Sequence, residues 1–268
     1  MKNKTIFITG ATDGIGKQTA IDLASIGSTV IIHGRVGERL SATKDEIIKI
    51  TGNKNIFPVL ANFNSLKQVS DAAELIKKNF DKIDILFNNA AELSNEKIIT
   101  EDGIELNFQV NHLAHVLLTI KLHNLLKKAG MARIINVSSM IHSAVFDTNN
   151  LQGEKKYSGT ENYSLSKLMN IMFTYSLAET LNDTNITVNA IHPGVIETKL
   201  LNKAWTGGLP VTEGSKNMIY YAEVPLLDTF SGHYFENRRP MQSTPVSYDK
   251  EYQNFLWDLS MELINKFV

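Results

Sequence analysis

The 268-residue chain contains no cysteine, and it carries almost no net charge. Without a thiol, the protein can form no disulfide bond, cysteine nucleophile or cysteine-ligated zinc site. The absence of cysteine also fits a reducing compartment, and we expect a cytoplasmic protein. The formal net charge of −1 provides no overall basic field for nucleic acid or for an anionic membrane, so we expect neither as a partner.

A long hydrophobic run is also missing, since no stretch approaches the roughly 18 apolar residues that a membrane-spanning helix requires. Two lysines precede an apolar run in MKNKTIFITG, but the run ends at Gly10, which favours a first β-strand over a signal peptide. No repeat or flexible linker divides the chain. We therefore predict one domain over residues 1–268, without a membrane span. No residue spacing resembles a metal site, and we interpret His112 and His192 as structural.

What the sequence does contain is a regular alternation of β-branched runs with helical patterns. The predicted strands are 5–9, 28–34, 56–63, 84–90, 133–139 and 186–194. The predicted helices are 16–27, 38–50, 66–80, 103–129 and 160–182. Because the strands are apolar at consecutive positions, both of their faces should be buried. The pattern predicts an α/β fold, a doubly wound parallel sheet with helices on both faces and a ligand site at the carboxyl ends of the strands.

The segment TGATDGIGK (9–17) follows the first strand and opens the first helix. Its three glycines permit positive φ angles and a close approach of the backbone to a pyrophosphate. The helix N-terminus adds free N–H groups. A tight turn that needs glycine only for packing is the alternative, but the strand–loop–helix context favours a dinucleotide site. The expected cofactor contacts in this loop are Gly10, Thr12, Asp13, Gly14, Ile15 and Gly16.

The end of the second strand, HGRVGER, indicates which dinucleotide is bound. NAD sites usually have an acidic residue about 20 residues after the glycine loop, where it binds the ribose 2′-hydroxyl. Here Gly34 ends the strand, Arg35 follows, and the first carboxylate is Glu38. A guanidinium can bind a 2′-phosphate through paired donors. We therefore predict NADP(H) rather than NAD(H), with Arg35 as the main discriminator; the alternative is a solvated surface arginine.

Further motifs follow in a fixed order along nearly the whole chain: NNAA (88–91), VNHL (110–113), VSS (137–139), YSLSK (163–167) and HPGVIET (192–198). With the glycine loop, they resemble the motifs of the short-chain dehydrogenase/reductase family. VNHLAHVLLT and NLQGEKKYSGTENYSLSKL resemble its retinol dehydrogenase-like branch. The resemblance implies a single-domain Rossmann fold and an oxidoreductase that interconverts an alcohol and a carbonyl. Ala91 departs from the family's glycine, and Asn62 from its usual aspartate at the adenine.

The resemblance also implies the site residues. The positions that match the family's catalytic residues are Ser139, Tyr163, Lys167 and Asn111. Ser139 is expected rather than Ser138, because the family uses the second position of such a pair. The further cofactor contacts implied are Asn62, Asn88, Asn89, Ala90, Tyr163, Lys167, Pro193, Gly194, Val195 and Thr198. The alternatives for Asn88 and Thr198 are a turn asparagine and a helix N-cap.

Tyr163 and Lys167 stand at positions i and i+4 of a predicted helix and should project from the same face. The pKa of a free phenol is about 10, and a nearby ammonium together with an oxidised nicotinamide should lower it. Tyr163 is then expected to donate the proton during reduction, and Ser139 to hydrogen-bond the substrate oxygen. By resemblance, Lys167 also binds the nicotinamide ribose, and Asn111 holds a water in a proton relay. The alternative is an amphipathic helix with a surface lysine.

Residues 199–227 are expected to close over a substrate, as this region does in the family. The apolar side chains of the expected lid are Leu200, Leu201, Ala204, Trp205 and Leu209. Gly207 and Gly208 would serve as its hinge, although packing residues of a surface helix explain the same pattern equally well. An apolar lid favours a hydrophobic alcohol, aldehyde or ketone as the small-molecule substrate.

Two other functions stay open at this point. A non-catalytic dinucleotide-sensing or scaffold protein would keep the fold without needing Ser139, Tyr163 and Lys167, and all three are present. An NAD-dependent dehydrogenase is disfavoured by the missing acid near Gly34. The family resemblance further implies a homodimer or homotetramer built on the long helices 103–129 and 160–182.

Overall fold

Eight strands form one sheet in the computed structural model, which describes residues 1–268. The strands are β1 (Thr5–Ile8), β2 (Thr29–Gly34), β3 (Ile56–Leu60), β4 (Ile85–Asn88), β5 (Ala132–Val137), β6 (Ile186–Ile191), β7 (His233–Glu236) and β8 (Arg239–Met241). Their order across the sheet is β3-β2-β1-β4-β5-β6-β7-β8, and only β8 is antiparallel to its neighbour. Because the strand order reverses between β1 and β4, a ligand site is expected beyond their carboxyl ends.

Helices cover both faces of this sheet. They are α1 (Gly14–Ser25), α2 (Gly37–Thr51), α3 (Leu66–Asn79), α4 (Leu106–Phe108), α5 (Ala114–Lys127), α6 (Gly159–Thr180), α7 (Val211–Glu223) and α8 (Lys250–Ile264). A π-helical turn, Gln109–Leu113, joins α4 to α5. Short 3-10 turns lie at Leu201–Lys203, Pro225–Asp228, Pro245–Tyr248 and Asn265–Phe267. None of the helices combines the length and the apolar character that crossing a membrane requires.

Alternate residues along the strands build two separate cores. Phe7 and Ile31 pack with α3, α5, α6 and α8 on one face, whereas Ile6 and Ile8 pack with α1, α2 and α7 on the other. The predicted doubly wound parallel fold, with helices on both faces, is therefore confirmed. Burial on both faces fails at the two edge strands: Phe57 on β3 is exposed, and so are all three residues of β8.

The C-terminal helix α8 was not predicted, and it covers helix faces that would otherwise be exposed. It packs across α6 and the π-helical turn: Trp257 stacks on Phe173 with ring centroids 6.0 Å apart, and Ser260 hydrogen-bonds His112 at 3.0 Å. The terminal turn that follows α8 reaches α3 and α5, whose Ser70 and Lys121 side chains donate to the Phe267 carbonyl. The faces of the two long helices that were expected to form a dimer are thus covered by the chain itself.

Candidate active site

A cavity of about 610 Å³ lies at the carboxyl ends of the parallel strands. Most of the residues predicted for the site line its wall. They are Gly10, Thr12, Asp13, Gly14, Ile15, Gly16, Arg35, Asn62, Asn89, Ala90, Ser139, Tyr163, Lys167, Pro193, Gly194, Val195 and Thr198. Residues from Gly10 to Thr198 therefore meet in one concave site, and Asn88 and Asn111 are the two predicted residues that do not line it.

The glycine loop forms one end of the cavity. Gly10 and Gly14 have φ angles of +66° and +53°, which side chains with a Cβ rarely adopt. A Cβ on Gly16 would lie 2.4 Å from the Gly10 carbonyl oxygen, so the loop can close this tightly only with glycine. Asp13 caps α1 by accepting from the Gly14 N–H at 2.9 Å. The loop and the helix N-terminus together form a cradle that fits a pyrophosphate.

Two arginines border the cavity beyond β2, and the sequence reasoning named only one of them. Arg35 follows the strand directly, and Arg39 lies in the first turn of α2; their side chains are 60% and 55% exposed. A Cβ on Gly34 would lie 2.4 Å from Thr12 Cγ2, so this backbone leaves no room for an acidic side chain at the strand end. The place of Arg39 in the first turn of the predicted helix 38–50, directly after the strand end, was a signal that could have revealed it.

Glu92 is a further cavity residue that the sequence reasoning missed. Its Oε2 accepts from Arg35 Nη1 at 2.9 Å, and its Oε1 accepts from Lys203 Nζ. Lys203 also donates to the Leu93 carbonyl at 2.8 Å. We call this set of contacts the Glu92 bridge: it joins Arg35 after β2, Glu92 after β4 and Lys203 in the segment after β6.

Tyr163, Lys167 and Ser139 come together at the other end of the cavity. Lys167 is only 1% exposed, and its Nζ lies 5.3 Å from the centre of the Tyr163 ring and 3.0 Å from the Val137 carbonyl oxygen, to which it donates. Ser138 donates its hydroxyl hydrogen to the Lys167 carbonyl, so it is occupied in a structural contact. Ser139 accepts only a 3.3 Å hydrogen bond from the Ile141 N–H, which leaves its hydroxyl hydrogen free.

The chain's own groups raise the pKa of Tyr163, whereas the sequence predicted that Lys167 together with an oxidised nicotinamide would lower it. Burial raises the pKa of the Tyr163 phenol above its ordinary value. Burial also lowers the pKa of Lys167 from 10.5 to about 7, so near neutrality the lysine is only partly charged. The chain's own groups therefore do not produce a phenolate, because desolvation outweighs the attraction of a partly neutral amine.

Asn88 and Asn111 are the two predicted site residues whose side chains lie outside the cavity wall. Asn88 Nδ2 donates to Thr119 Oγ1 and Asn136 Oδ1 in the interior, so this side chain makes structural contacts, and the expected cofactor contact of Asn88 stays a prediction. Asn111 Nδ2 donates to the Glu92 carbonyl and to Ser166 Oγ, and its Oδ1 accepts from the Glu92 N–H. Both Asn111 donor hydrogens are used, so this side chain has none left to donate to a water.

Of the two histidines that the sequence singled out, His112 is buried in the interior and His192 lies in the cavity wall. His112 contacts Asn170 and Ser260 in the interior, as a structural residue should. His192 was also expected to be structural, but it lines the cavity, and its buried Nδ1 has no hydrogen-bond partner. Burial lowers the pKa of His192, which keeps the ring neutral. No group of three or more histidine or acidic side chains is arranged to hold a metal ion.

The segment predicted as a lid, 199–227, divides into two parts. Its first part lines the cavity with Leu200, Leu201 and Trp205, and the Trp205 ring centroid lies 6.3 Å from that of Tyr163. The later part forms α7, whose Met218 and Tyr221 are fully buried in the core. Residues 211–223 therefore belong to the helical layer, and the expected lid boundary is too long.

The expected hinge also requires correction at one of its two glycines. Gly207 has a φ angle of +78° with open space around it, so it retains the freedom that a hinge needs. A Cβ on Gly208 would lie 2.6 Å from the Glu197 nitrogen. Gly208 is therefore required for close packing beside the Ile196–Leu209 bridge rather than for motion.

A glycine cradle at a helix N-terminus, set at the switch point of a parallel sheet, defines a dinucleotide-binding α/β protein. The sequence model of the short chain dehydrogenase family matches residues 4–207. Retinol dehydrogenase 13 from Mus musculus is 36% identical, over 97% of this chain and 84% of its own length. Retinol dehydrogenase 14 from Homo sapiens is 32% identical, over 98% of this chain and 87% of its own length.

Solved structures agree with this match. An uncharacterized protein from Mycobacterium paratuberculosis superposes with a TM-score of 0.81 at 27% identity, covering 98% of this chain and 94% of that chain. A short chain dehydrogenase from Burkholderia cenocepacia in complex with NADP gives a TM-score of 0.71 over 87% of this chain and 96% of that chain; its 24% identity shows the fold alone. The chain belongs to the short-chain dehydrogenase family and is retinol dehydrogenase-like, an oxidoreductase of alcohols and carbonyls.

Proposed function

We propose that the chain is an NADP(H)-dependent oxidoreductase that interconverts a hydrophobic alcohol and its carbonyl, with Ser139, Tyr163 and Lys167 at the reacting centre. One observation carries the proposal: a single cavity runs from Arg35 and Arg39 past the glycine cradle to these three side chains. Cationic groups at one end and acid–base groups at the other are what a phosphorylated dinucleotide and a carbonyl require.

The residues of the chain fit an NADP(H) molecule along this cavity. The N–H groups of the glycine cradle would hold the pyrophosphate, because the loop has room only for backbone there. Arg35 and Arg39 would bind the 2′-phosphate through guanidinium donors. Asn62 would contact the adenine through an amide that both donates and accepts. When bound, the nicotinamide supplies the hydride.

Proton transfer is assigned to Tyr163, whose pKa is raised by burial, so the hydroxyl keeps its proton until the carbonyl is reduced. Ser139 has a free hydroxyl hydrogen with which it orients the substrate oxygen. Lys167, with a pKa of about 7, can accept or release a proton near neutrality and would replenish that of Tyr163. Asn111 has a positioning role, because its side-chain amide holds the Glu92 backbone at the cavity edge.

The proposed substrate is apolar because the wall beside Tyr163 is apolar. The side chains of this wall are Met140, Ile141, Val195, Leu200, Leu201 and Trp205. Burying hydrocarbon against such a wall contributes about 25 cal/mol per Å² of apolar surface. The relatives named retinol dehydrogenases make retinal a first candidate to test.

Side-by-side titrations with NADPH and NADH, followed by nicotinamide fluorescence, test the cofactor assignment. NADPH should bind more tightly than NADH, and Arg35→Ala should remove most of that preference, with Arg39 retaining the rest. Turnover of long apolar and small polar carbonyls then tests the chemistry, with Tyr163→Phe as the variant. Tyr252→Phe is its matched control, because the Tyr252 hydroxyl on α8 has no hydrogen-bond partner. Binding of neither nucleotide would favour the non-catalytic alternative.

A further inference from the structure

The Glu92 bridge places an acidic side chain where a phosphorylated cofactor requires positive charge. We propose that Glu92 is a specificity-determining residue whose carboxylate competes with the 2′-phosphate of NADP(H) for Arg35. By this competition it weakens the preference for NADP(H) over NAD(H). The inference rests on the proposed role of Arg35, but it concerns a residue that no motif in the sequence pointed to.

The position of the Glu92 carboxylate is fixed from two sides. Its backbone is held by the amide of Asn111, which accepts from the Glu92 N–H at 2.7 Å and donates to the Glu92 carbonyl at 2.9 Å. Its Oε1 accepts from the Leu93 N–H at 3.2 Å and from Lys203. The Glu92 side chain is only 12% exposed. The carboxylate therefore cannot move freely into solvent when a ligand approaches Arg35.

Glu92 is also ionised at neutral pH. Burial by itself would raise the pKa of the carboxyl, but the Lys203 ammonium and the Arg35 guanidinium outweigh burial and hold the pKa of Glu92 below its ordinary value. The negatively charged Glu92 carboxylate thus lies beside Arg35, with Oε2 2.9 Å from Arg35 Nη1. Arg35 makes no other ion pair, so Glu92 is its sole acidic partner in the chain.

NADPH and NADH differ in how they affect the Arg35–Glu92 ion pair. A 2′-phosphate carries more than one negative charge near neutrality, and it binds a guanidinium best through two parallel donors. To offer them, Arg35 has to leave Glu92 or share its donors, and the fixed carboxylate then repels the phosphate. The 2′-hydroxyl of NADH carries no charge and leaves the Arg35–Glu92 contact in place. Glu92 therefore opposes NADPH more than it opposes NADH.

Glu92→Gln tests the proposal, since the amide keeps the shape of the side chain and removes its charge. The ratio of the NADH to the NADPH dissociation constant, measured by nicotinamide fluorescence, should rise on the order of tenfold in this variant. Glu38→Gln is the matched control: Glu38 is exposed, lies three residues from Arg35 and makes no ion pair, so the ratio should stay within about twofold. An unchanged or lower ratio in Glu92→Gln would overturn the proposal.

A double-mutant cycle with Arg35→Ala shows whether the effect passes through Arg35. In the Arg35→Ala background, Glu92→Gln should change the ratio by much less than it does in the wild type. An equal change in both backgrounds would mean that Glu92 acts on the phosphate directly, and competition for Arg35 would be wrong.

Failure of the cofactor assignment gives a different pattern from failure of this inference. A wild type that prefers NADH contradicts the proposed function, yet the response of the ratio to Glu92→Gln still decides the role of Glu92. A wild type that prefers NADPH, with no response to Glu92→Gln, contradicts the role of Glu92 alone.

Discussion

The ammonium group of Lys167 lies 5.3 Å from the centre of the Tyr163 ring and donates a 3.0 Å hydrogen bond to the Val137 carbonyl. One helical turn of α6 thus carries a phenol and an almost completely buried amine into the same cavity. The cost of burying the amine appears in its pKa, which falls to about 7. Burying this amine destabilises the fold, so its presence in the cavity indicates a role in the reaction rather than in stability.

We predict that Lys167→Met abolishes most turnover and stabilises the protein at neutral pH. Turnover should fall at least about 100-fold, as is typical when an acid–base group is lost. The pKa of Lys167 falls from 10.5 to about 7 on folding, so between these values only the unfolded chain keeps the proton. The free energy of unfolding of the wild type therefore rises with pH through this window, and the penalty from Lys167 is largest below pH 7.

Thermal melts of the wild type and Lys167→Met from pH 6 to pH 10 test the stability part of this prediction. The variant should melt higher at pH 7, and the difference should shrink toward pH 10. Lys78→Met, at an exposed position on α3, should not change the melting temperature in this way. A variant that melts below the wild type at every pH would show that Lys167 stabilises the fold.

Gly16→Ala should abolish dinucleotide binding. The new methyl group would lie 2.4 Å from the Gly10 carbonyl oxygen and 2.6 Å from Asn89 Nδ2, so the cradle has to open. Gly37→Ala is a matched control at the start of α2, because its methyl group would meet nothing closer than 3.8 Å. Fluorescence titration with NADPH compares the two variants; normal binding by Gly16→Ala would mean that the loop does not hold the cofactor.

The protein should lose stability steeply as the pH falls below about 6.5. Burial lowers the pKa of His33 and of His112 to about 4, and burial lowers that of His115 to about 3. Between about pH 4 and pH 6.5 the unfolded chain binds up to three more protons than the folded chain. The free energy of unfolding then falls by at most about 4 kcal/mol per pH unit on acidification.

Urea unfolding at a series of pH values measures this slope. His112→Phe should reduce the slope by about a third, because one titrating group is removed. His123→Gln, at a half-buried position on α5, is the control and should leave it unchanged. A free energy of unfolding that is flat between pH 4.5 and pH 6.5 would contradict the prediction.

We predict a monomer in solution, against the homodimer or homotetramer expected from the family resemblance. Residues of α8 and the terminal turn occupy the outer faces of α5 and α6, and α6 has few exposed positions left for a partner. Light scattering on the purified full chain over a range of concentrations measures the mass. A stable dimer that is lost on changing exposed residues of α6 would contradict this prediction.

Local patterns in the sequence were sufficient to predict the fold and most of the cavity wall. The apolar strands, the glycine loop and the Tyr163–Lys167 spacing each span only a few residues, so they are recognisable in the sequence. The missed helix α8 did have a sequence signal: Asp249 is a typical N-cap residue, and Leu256 and Leu259 follow at helical spacing. The strands β7 and β8 are only four and three residues long, too short for a clear period.

The Glu92 bridge could not be predicted in this way. Its partners stand 57 and 111 residues from Glu92, and only the crossing of β2, β4 and the segment after β6 brings them together. The contribution of burial to the pKa of Tyr163 could not be predicted for a related reason: the spacing places the lysine nearby but does not show how deeply both groups are buried. Burial decides the sign, and burial is a property of the whole fold.

Deuteride transfer tests the central claim most directly. Wild-type protein would be incubated with NADPH deuterated at the reactive position and with retinal, and the alcohol product examined by mass spectrometry. We predict a singly deuterated alcohol from the wild type and from Tyr252→Phe, with formation slowed at least about 100-fold in Tyr163→Phe. No deuterated product from retinal or from any other apolar aldehyde or ketone, in a protein that binds NADPH, would contradict the proposed activity.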